Sequence, residues 1–346
     1  IAWRDSNAML EMGRVLIVGA GATAAVAARR LRREGVSAER IVVWEALASV
    51  GGRFRSEMSS KDGGLTDTGA QYLTRVAACA VGEQGSAGDD MHEDIYKELQ
   101  QVGLLRKMSG NIQGTRAADG DGESYICEEG MQALVEYMLT EAGVQVCCLR
   151  RLLQLKLVED EVSVGFRTWE ASFDGASERF GAVVLTQPVP QMLPLFSTGE
   201  ASELLDRSGF RGKLRNVQFS SRYAMSLFFD EGDKARLDEL LPFVGKYVGK
   251  DEDPDIVFIS YDSAKRGAGI PSLMVHSSVP YGIKQAHHAS HVHSESAAAL
   301  QSSRCFRAED EKSAAAIQPP RTQLSTTRTK AASLPTPLPD SEHFKT

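Results

Sequence analysis

Cysteines are few in this 346-residue sequence, and no two of them have the spacing of a CxxC pair. The five are scattered along the chain, at Cys79, Cys127, Cys147, Cys148 and Cys305. A disulfide scaffold or a zinc module needs paired spacings, so both classes are disfavoured. An odd, scattered set is typical of reduced intracellular thiols, and we therefore expect a cytoplasmic protein.

Long apolar runs and an excess of positive charge are also absent. No stretch of about 18 apolar residues occurs, which excludes a membrane-spanning helix. Acidic residues outnumber basic ones, 46 to 39, for a net charge of -7. This balance argues against nucleic acid or an anionic membrane as a partner.

Glycine is missing from the last part of the chain. All 31 glycines precede residue 283, and the segment 283–346 is rich in Ser, Thr, Ala, Pro and His instead. Such a segment buries little apolar surface, so it is predicted to be a disordered, low-complexity tail, with at most a frayed helix at Ser294–Leu300. No metal site is predicted, because no cysteine or carboxylate frame accompanies the closely spaced histidines His287, His288, His291 and His293.

The N-terminus is mixed and polar up to Met12, which directly precedes an apolar segment. We expect Met12 to be the natural start and residues 1–11 to be a non-native or disordered leader. The apolar segment leads into a glycine turn and not a signal cleavage site, so no secretion signal is predicted.

The folded body, about 12–282, alternates between strand and helix patterns. Arg14–Val18 and Ile41–Glu45 are predicted as buried strands, and the alanine-rich Ala22–Arg33 between them is predicted as a helix that stops at Gly35. Strand, helix and strand within about 30 residues form a βαβ unit, which favours an α/β fold with a parallel sheet.

Later segments continue the alternation. A helix is predicted at Ala133–Glu141 and a loop at Gly82–Asp90. Strands are predicted at Val144–Cys148, Ala182–Thr186, Arg222–Phe229, Ile256–Ser260 and Ser272–Val279.

The first predicted turn has the G-x-G-x-x-A pattern of a dinucleotide site. Gly19 permits a tight turn, Gly21 lets a diphosphate approach the helix, and Ala24 keeps the helix close to the sheet. The free amides of the first helical turn favour an anion, and the hydroxyl of Thr23 could add a donor. Glu45 ends the next strand, where a carboxylate accepts hydrogen bonds from ribose hydroxyls. The alternative is a plain glycine turn with a capping glutamate.

Two further segments favour FAD over NAD. Gly51 and Gly52 let the backbone pass near a ligand, and Arg53 beside them can neutralise phosphate. The segment Asp67–Tyr72 then supplies another glycine turn with polar and aromatic side chains. An NAD-dependent reductase is therefore the weaker alternative.

Together these segments resemble the flavin amine oxidase superfamily, and within it the renalase family. The resemblance covers about residues 12–282. Beyond the glycine segments it includes Gly69–Thr74, Val184–Pro190, Ser220–Ala224 and Pro271–Gly282.

The resemblance implies a Rossmann-like FAD-binding domain of the amine-oxidase type, interleaved with an α+β substrate domain. The FAD-binding domain would comprise 12–80 and 140–200, and the substrate domain 81–139 and 201–282.

The resemblance also implies an FAD-dependent oxidase that oxidises dihydro isomers of NAD(P)H, historically amines, with O2 to give hydrogen peroxide. Hydride transfer depends mainly on the positioning of substrate and flavin, so no Ser or Cys nucleophile is expected. Thr23, Glu45, Arg53, Gln71 and Tyr72 match the FAD contacts of the family.

Tyr72 and His276 match positions on the substrate side of the flavin and are the candidate catalytic residues. A packing aromatic and a core histidine are the alternatives. Members of the family occur inside and outside cells, so an extracellular location is the alternative to the cytoplasm. Nothing in the sequence predicts the oligomeric state.

The chain departs from the family after Gly282. Family members have a C-terminal Gly-Asp pair at the cofactor, which a glycine-free tail cannot match. The alternative is therefore a catalytically impaired, truncated renalase-like protein that lacks the C-terminal FAD contacts.

Overall fold

The computed structural model of the chain describes residues 13–75, 87–114, 123–159, 167–285 and 323–325. The strands in chain order are β1 (Val15–Val18), β2 (Ile41–Trp44), β3 (Ser56–Met58), β4 (Leu65–Asp67), β5 (Leu73–Arg75), β6 (Leu105–Lys107), β7 (Ile112–Gln113), β8 (Glu123–Cys127), β9 (Gln145–Cys147), β10 (Gln154–Glu159), β11 (Arg167–Phe173), β12 (Ala176–Phe180), β13 (Ala182–Leu185), β14 (Ala224–Phe228), β15 (Gly245–Tyr247), β16 (Ile256–Tyr261), β17 (Ser272–Ser277) and β18 (Gln323–Ser325).

The helices in chain order are α1 (Ala22–Arg33), α2 (Ala87–Gln101), α3 (Met131–Ala142), α4 (Val189–Met192), α5 (Gly199–Arg207), α6 (Phe210–Arg215), α7 (Lys234–Leu240), α8 (Asp262–Arg266) and α9 (279–285). Short 3-10 turns lie at Ala38–Arg40, Gly52–Phe54, Leu193–Phe196 and Glu231–Asp233.

A four-stranded parallel sheet has the order β13-β1-β2-β9. Both β1 and β2 are apolar and buried along their whole length, as expected for a parallel sheet that is covered on both faces. Helices α1 and α3 pack on one face, and the antiparallel sheet β10-β11-β12 covers the other. The predicted βαβ unit and α/β class are confirmed.

A larger sheet of six strands has the order β18-β14-β17-β16-β15-β7. It is antiparallel except for β7, which pairs parallel with β15. Two small sheets, β3-β4 and β5-β8-β6, complete the fold. The parallel sheet draws its strands from the ranges predicted for FAD binding, but the division into domains stays a prediction.

Two segments differ from the sequence expectations. Helix α2 begins at Ala87, inside the predicted loop Gly82–Asp90, because small and acidic residues are also common in the first turn of a helix. Strand β17 ends at Ser277, and residues 279–285 form α9.

The predicted disordered tail contains two described pieces. Residues 283–285 end α9, and β18 pairs antiparallel with β14, with Leu324 opposite Leu227. The edge of a sheet has unpaired N–H and C=O groups, so an extended piece of low-complexity chain can add to it. The leader 1–11, the predicted helix Ser294–Leu300 and the tail histidines lie outside the described residues.

Candidate functional site

The glycine turn between β1 and α1 forms the first wall of the site. Gly19 has φ +97°, and a Cβ there would lie 2.8 Å from Thr186 Oγ1, so a side chain would be both strained and crowded. Gly21 is the N-cap of α1 and provides no side-chain cap. Thr23 is exposed in the first turn, whereas Ala24 is buried against the sheet. The first amides of α1 are therefore available to an anion.

A second glycine segment lies directly beside this turn. The Gly51 amide donates to the Ala20 carbonyl at 2.8 Å, and Gly21 and Gly51 form a parallel β-bridge. A Cβ on Gly52, whose φ is +55°, would lie 3.5 Å from the Gly21 Cα. The two glycine segments thus present adjacent backbone with no side chain between them.

A third segment packs against the second. The Ala70 amide donates to the Arg53 carbonyl at 2.8 Å, and a Cβ on Gly69 would lie 2.0 Å from that carbonyl oxygen. Only glycine allows this approach. The Arg53 side chain is exposed, and no described residue forms a hydrogen bond or ion pair with its guanidinium.

Glu45 lies beneath the glycine turn. Its Oε2 accepts the Ala20 amide at 2.8 Å and its Oε1 accepts the Leu47 amide at 2.9 Å. The residue is 8% exposed. A carboxylate has about four acceptor positions, so two are left for other donors such as hydroxyl groups.

These residues fit a dinucleotide cofactor. In the cradle of Gly21, Gly51 and Gly52, an added Cβ would lie 3.8 Å from the Gly51 carbonyl oxygen at Gly21 and 3.5 Å from the Gly21 Cα at Gly52, while at Gly51 it would crowd the Gln132 side chain at 3.0 Å. On the other side of the turn, the Oε1 atom of Gln187 is buried and has no hydrogen-bond partner among the described residues. A buried acceptor without a donor is unusual, and a ligand donor would satisfy it.

A group of aromatic side chains lies beyond the third segment. The hydroxyls of Tyr72 and Tyr247 are 2.8 Å apart, and the Tyr247 ring centroid is 4.8 Å from that of Phe258. The Phe258 ring is 6.4 Å from the His276 ring. The structure therefore brings Tyr72 and His276, the two candidate catalytic residues, into one aromatic group.

His276 is held in a defined tautomer. Its Nε2 lies 3.1 Å from the Thr68 carbonyl oxygen, which only accepts, so Nε2 carries the proton. Burial lowers the pKa of His276 below its usual value and Arg222 acts in the same direction, while the hydrogen bond to Thr68 opposes them. The imidazole is neutral at pH 7 as a result.

Gln71 is used inside its own turn. Its Nε2 donates to the Asp67 and Gly69 carbonyls, and its Oε1 lies 3.5 Å from Lys265 Nζ. The side chain thus braces the third segment, and its role as an FAD contact stays a prediction.

A buried charge cluster, which was not predicted from the sequence, consists of Asp67, Asp262, Lys265 and Arg266. Lys265 Nζ lies 3.1 Å from Asp67 Oδ2 and 2.9 Å from Asp262 Oδ1, and Arg266 contacts both carboxylates. All four residues are at most 8% exposed. Burial opposes the ionisation of Asp262, but Lys265 and Arg266 lower its pKa below the usual value.

Tyr247 and Phe258 were also missed. A usable signal was present, because both lie in strand-forming segments that a hairpin would bring side by side.

In the described part of the chain no group of His, Cys, Asp and Glu side chains is arranged to hold a metal. The described helices include none that is long and apolar enough to span a membrane.

Comparison with known proteins gives matches both in sequence and in fold. Residues 17–81 match the NAD(P)-binding Rossmann-like domain family. The chain is 32% identical to renalase of Mus musculus over 279 residues, which cover 79% of this chain and 74% of that protein.

Among solved structures, a protein named as a protoporphyrinogen oxidase from Exiguobacterium sp. 255-15 matches with a TM-score of 0.56 and 13% identity, covering 82% of this chain and 81% of that chain. A putrescine oxidase variant matches with a TM-score of 0.50 and 12% identity, covering 80% of this chain and 77% of that chain. At such identities, these two matches show a shared fold alone.

Proposed function

This chain belongs to the renalase family, and from that premise we propose that it is an FAD-dependent oxidase that converts dihydro isomers of NAD(P)H to NAD(P)+ and reduces O2 to hydrogen peroxide. The observation that carries the proposal is the packing of three glycine segments side by side, the first of which is hydrogen-bonded to the Glu45 carboxylate. When bound, FAD supplies a ring that accepts a hydride and passes two electrons on to O2.

The residues of the cradle would hold the dinucleotide part of FAD. The first amides of α1 and the bare backbone of Gly21, Gly51 and Gly52 suit a diphosphate. Arg53, exposed at the same loop, would offset its negative charge. The acceptor positions that remain on Glu45 suit the ribose hydroxyls.

The aromatic group would form the substrate side of the site. Tyr72 and Tyr247, packed against the buried Phe258, provide flat surfaces for an unsaturated ring, and His276 is a neutral hydrogen-bonded side chain. Hydride transfer releases no proton from the donor carbon, so the side chains need only to position the substrate and to keep a constant charge. The neutral state of His276 meets that requirement.

Purified full-length chain tests the proposal in two steps. FAD is added, unbound cofactor is removed, and the visible spectrum is recorded, with NAD as the competing ligand. The loaded protein is then given the 2- and 6-dihydro isomers of NAD(P)H, ordinary NADH, and a set of amines.

We expect peroxide formation with the dihydro isomers and little with ordinary NADH. Peroxide formation with amines alone would support an oxidase activity but overturn the proposed substrate. Binding of NAD without FAD would favour a reductase, and a chain that takes up neither would overturn the proposal.

A further inference from the structure

The buried charge cluster connects two parts of the fold that are far apart in sequence. Asp67 ends β4, immediately before the third glycine segment, whereas Asp262, Lys265 and Arg266 form α8 between β16 and β17 of the six-stranded sheet. The cluster has two negative and two positive groups, so its formal charge is balanced. In such a cluster a group is held in place when its own polar atoms have partners, a condition that Arg266 Nε, buried without a hydrogen-bond partner among the described residues, does not meet.

The carboxylates meet that condition. Asp67 Oδ1 accepts from Ser56 Oγ at 2.7 Å and from the Met131 amide at 2.8 Å, while its Oδ2 faces Lys265 and Arg266. The partners of Asp262 include the Asp67 amide at 2.6 Å. The orientation of Asp67 is therefore fixed by α3, α8 and β3 together.

Lys265 connects the charge cluster to the candidate site. Its ammonium group has three N–H donors, and its three nearest acceptors are Asp67 Oδ2, Asp262 Oδ1 and the Gln71 carbonyl, the last at 3.1 Å; Gln71 Oε1 lies farther away, at 3.5 Å. The Gln71 carbonyl directly precedes Tyr72, whose hydroxyl contacts Tyr247. The Lys265 side chain is 2% exposed, so these contacts are shielded from bulk water.

We propose that Lys265 is a positioning residue: by binding the Gln71 carbonyl from the charge cluster, it holds the turn 67–72 against the Gly51–Arg53 loop and sets the position of Tyr72. The expected effect of Lys265 on a bound flavin rests on the proposed function. Its role in holding the turn 67–72 in place does not. The contact between Lys265 and the Gln71 carbonyl thus connects α8, beside the six-stranded sheet, to the turn 67–72 beside the Gly51–Arg53 loop.

The test uses a charge-balanced variant, Asp262→Asn with Lys265→Met, in the full chain. It removes the Lys265 contacts without leaving an unpaired charge, and an asparagine oxygen can still accept the Asp67 amide. The matched control is Asp238→Asn with Lys234→Met, which removes an exposed ion pair on α7 and keeps an acceptor for the Tyr261 hydroxyl.

Hydrogen exchange of the Gly69 and Ala70 amides is the first measurement, because these amides donate to Arg55 and Arg53. We expect exchange to become roughly tenfold faster in the cluster variant, with β1 amides unchanged, and no change in the control. In the FAD-loaded proteins, we expect the visible flavin band to shift in the cluster variant alone. Wild-type exchange rates at Gly69 and Ala70 in a folded cluster variant would overturn the positioning role.

A second measurement uses the wild-type chain, so it does not depend on the variant folding. Exchange is followed in increasing low concentrations of denaturant. If Lys265 couples the two segments, the Gly69 and Ala70 amides open with the same free energy and denaturant slope as the Gly267 and Ala268 amides at the end of α8. Independent opening would overturn the inference. Failure of the wild-type chain to bind FAD would overturn the proposed function and leave the exchange result to decide on Lys265.

Discussion

The Glu45 carboxylate accepts a hydrogen bond from the Ala20 amide at 2.8 Å, which ties the end of β2 to the glycine turn that follows β1. Replacement Glu45→Ala leaves the buried Ala20 amide without an acceptor and removes the group that would hold ribose. We expect the free energy of unfolding to fall by about 1–3 kcal/mol. FAD affinity should fall roughly tenfold or more.

Urea denaturation and FAD titration measure the two effects. Glu34→Ala is the control, because Glu34 lies at the exposed end of α1 in a surface pair with Arg30, and such pairs contribute little. Equal FAD affinity in Glu45→Ala and wild type would contradict the assigned role of the carboxylate.

Gly21→Ala tests the diphosphate cradle without disturbing the fold. A Cβ on Gly21 would meet only the Gly51 carbonyl, at an ordinary contact distance of 3.8 Å. The methyl group would nevertheless occupy the approach to the first amides of α1, so we expect near-wild-type thermal stability with FAD affinity reduced roughly tenfold or more.

Gly232→Ala is the matched control, since a Cβ there has no atom within 4 Å. Isothermal titration with FAD compares the two variants. Wild-type affinity in Gly21→Ala would place the cofactor elsewhere.

Much of the parallel sheet and its glycine turn is predictable from sequence, because the sequence signals that specify them are local. The short apolar strands, the alanine-rich helix and the glycine spacing each specify structure within a few residues, and α1 spans the predicted residues Ala22–Arg33. Helix α2 was not predicted, and its start lies in Gly82–Asp90, whose composition loops and first helical turns share.

The charge cluster could not be predicted in this way. Asp262, Lys265 and Arg266 form a short, highly charged segment that resembles an exposed turn, yet they are buried by partners nearly 200 positions earlier, at a sequence separation of 198 for Lys265 and Asp67. No local pattern encodes a contact of that range. The aromatic group of Tyr72 and Tyr247 depends in the same way on sheet pairing.

Arg266→Met should destabilise the protein strongly. It leaves Asp67 and Asp262 with one cation between them in a site that excludes water, and breaking a buried ion pair costs about 3–5 kcal/mol. Guanidinium denaturation measures the loss. The exposed pair of Lys234 and Asp238 provides the control, since Lys234→Met should leave the denaturation midpoint unchanged. A similar small effect in both variants would mean that the cluster is hydrated in solution.

His276 should make stability depend on pH in mildly acidic solution. Its pKa in the folded protein is lowered from 6.5, so the unfolded chain binds a proton more readily than the folded chain does. The contribution of neutral His276 is therefore complete above pH 6.5 and decreases as the pH falls below 6.5 toward the folded pKa.

His276→Gln keeps a donor for the Thr68 carbonyl but does not titrate. We expect the free energy of unfolding of wild type to fall more steeply than that of His276→Gln between pH 7 and about pH 5. The other histidines are the same in both proteins, so their contribution to the pH dependence cancels in the comparison. Parallel curves would show that the imidazole is protonated equally in both states.

Cofactor uptake by the purified full chain tests the assigned nucleotide site most directly. After incubation with FAD and removal of unbound cofactor, we predict a flavin spectrum with about one FAD per chain, and loss of that uptake in the Gly21→Ala and Glu45→Ala variants at limiting FAD. A colourless wild-type chain, or equal uptake by wild type and both variants, would contradict a flavin site at the glycine turn.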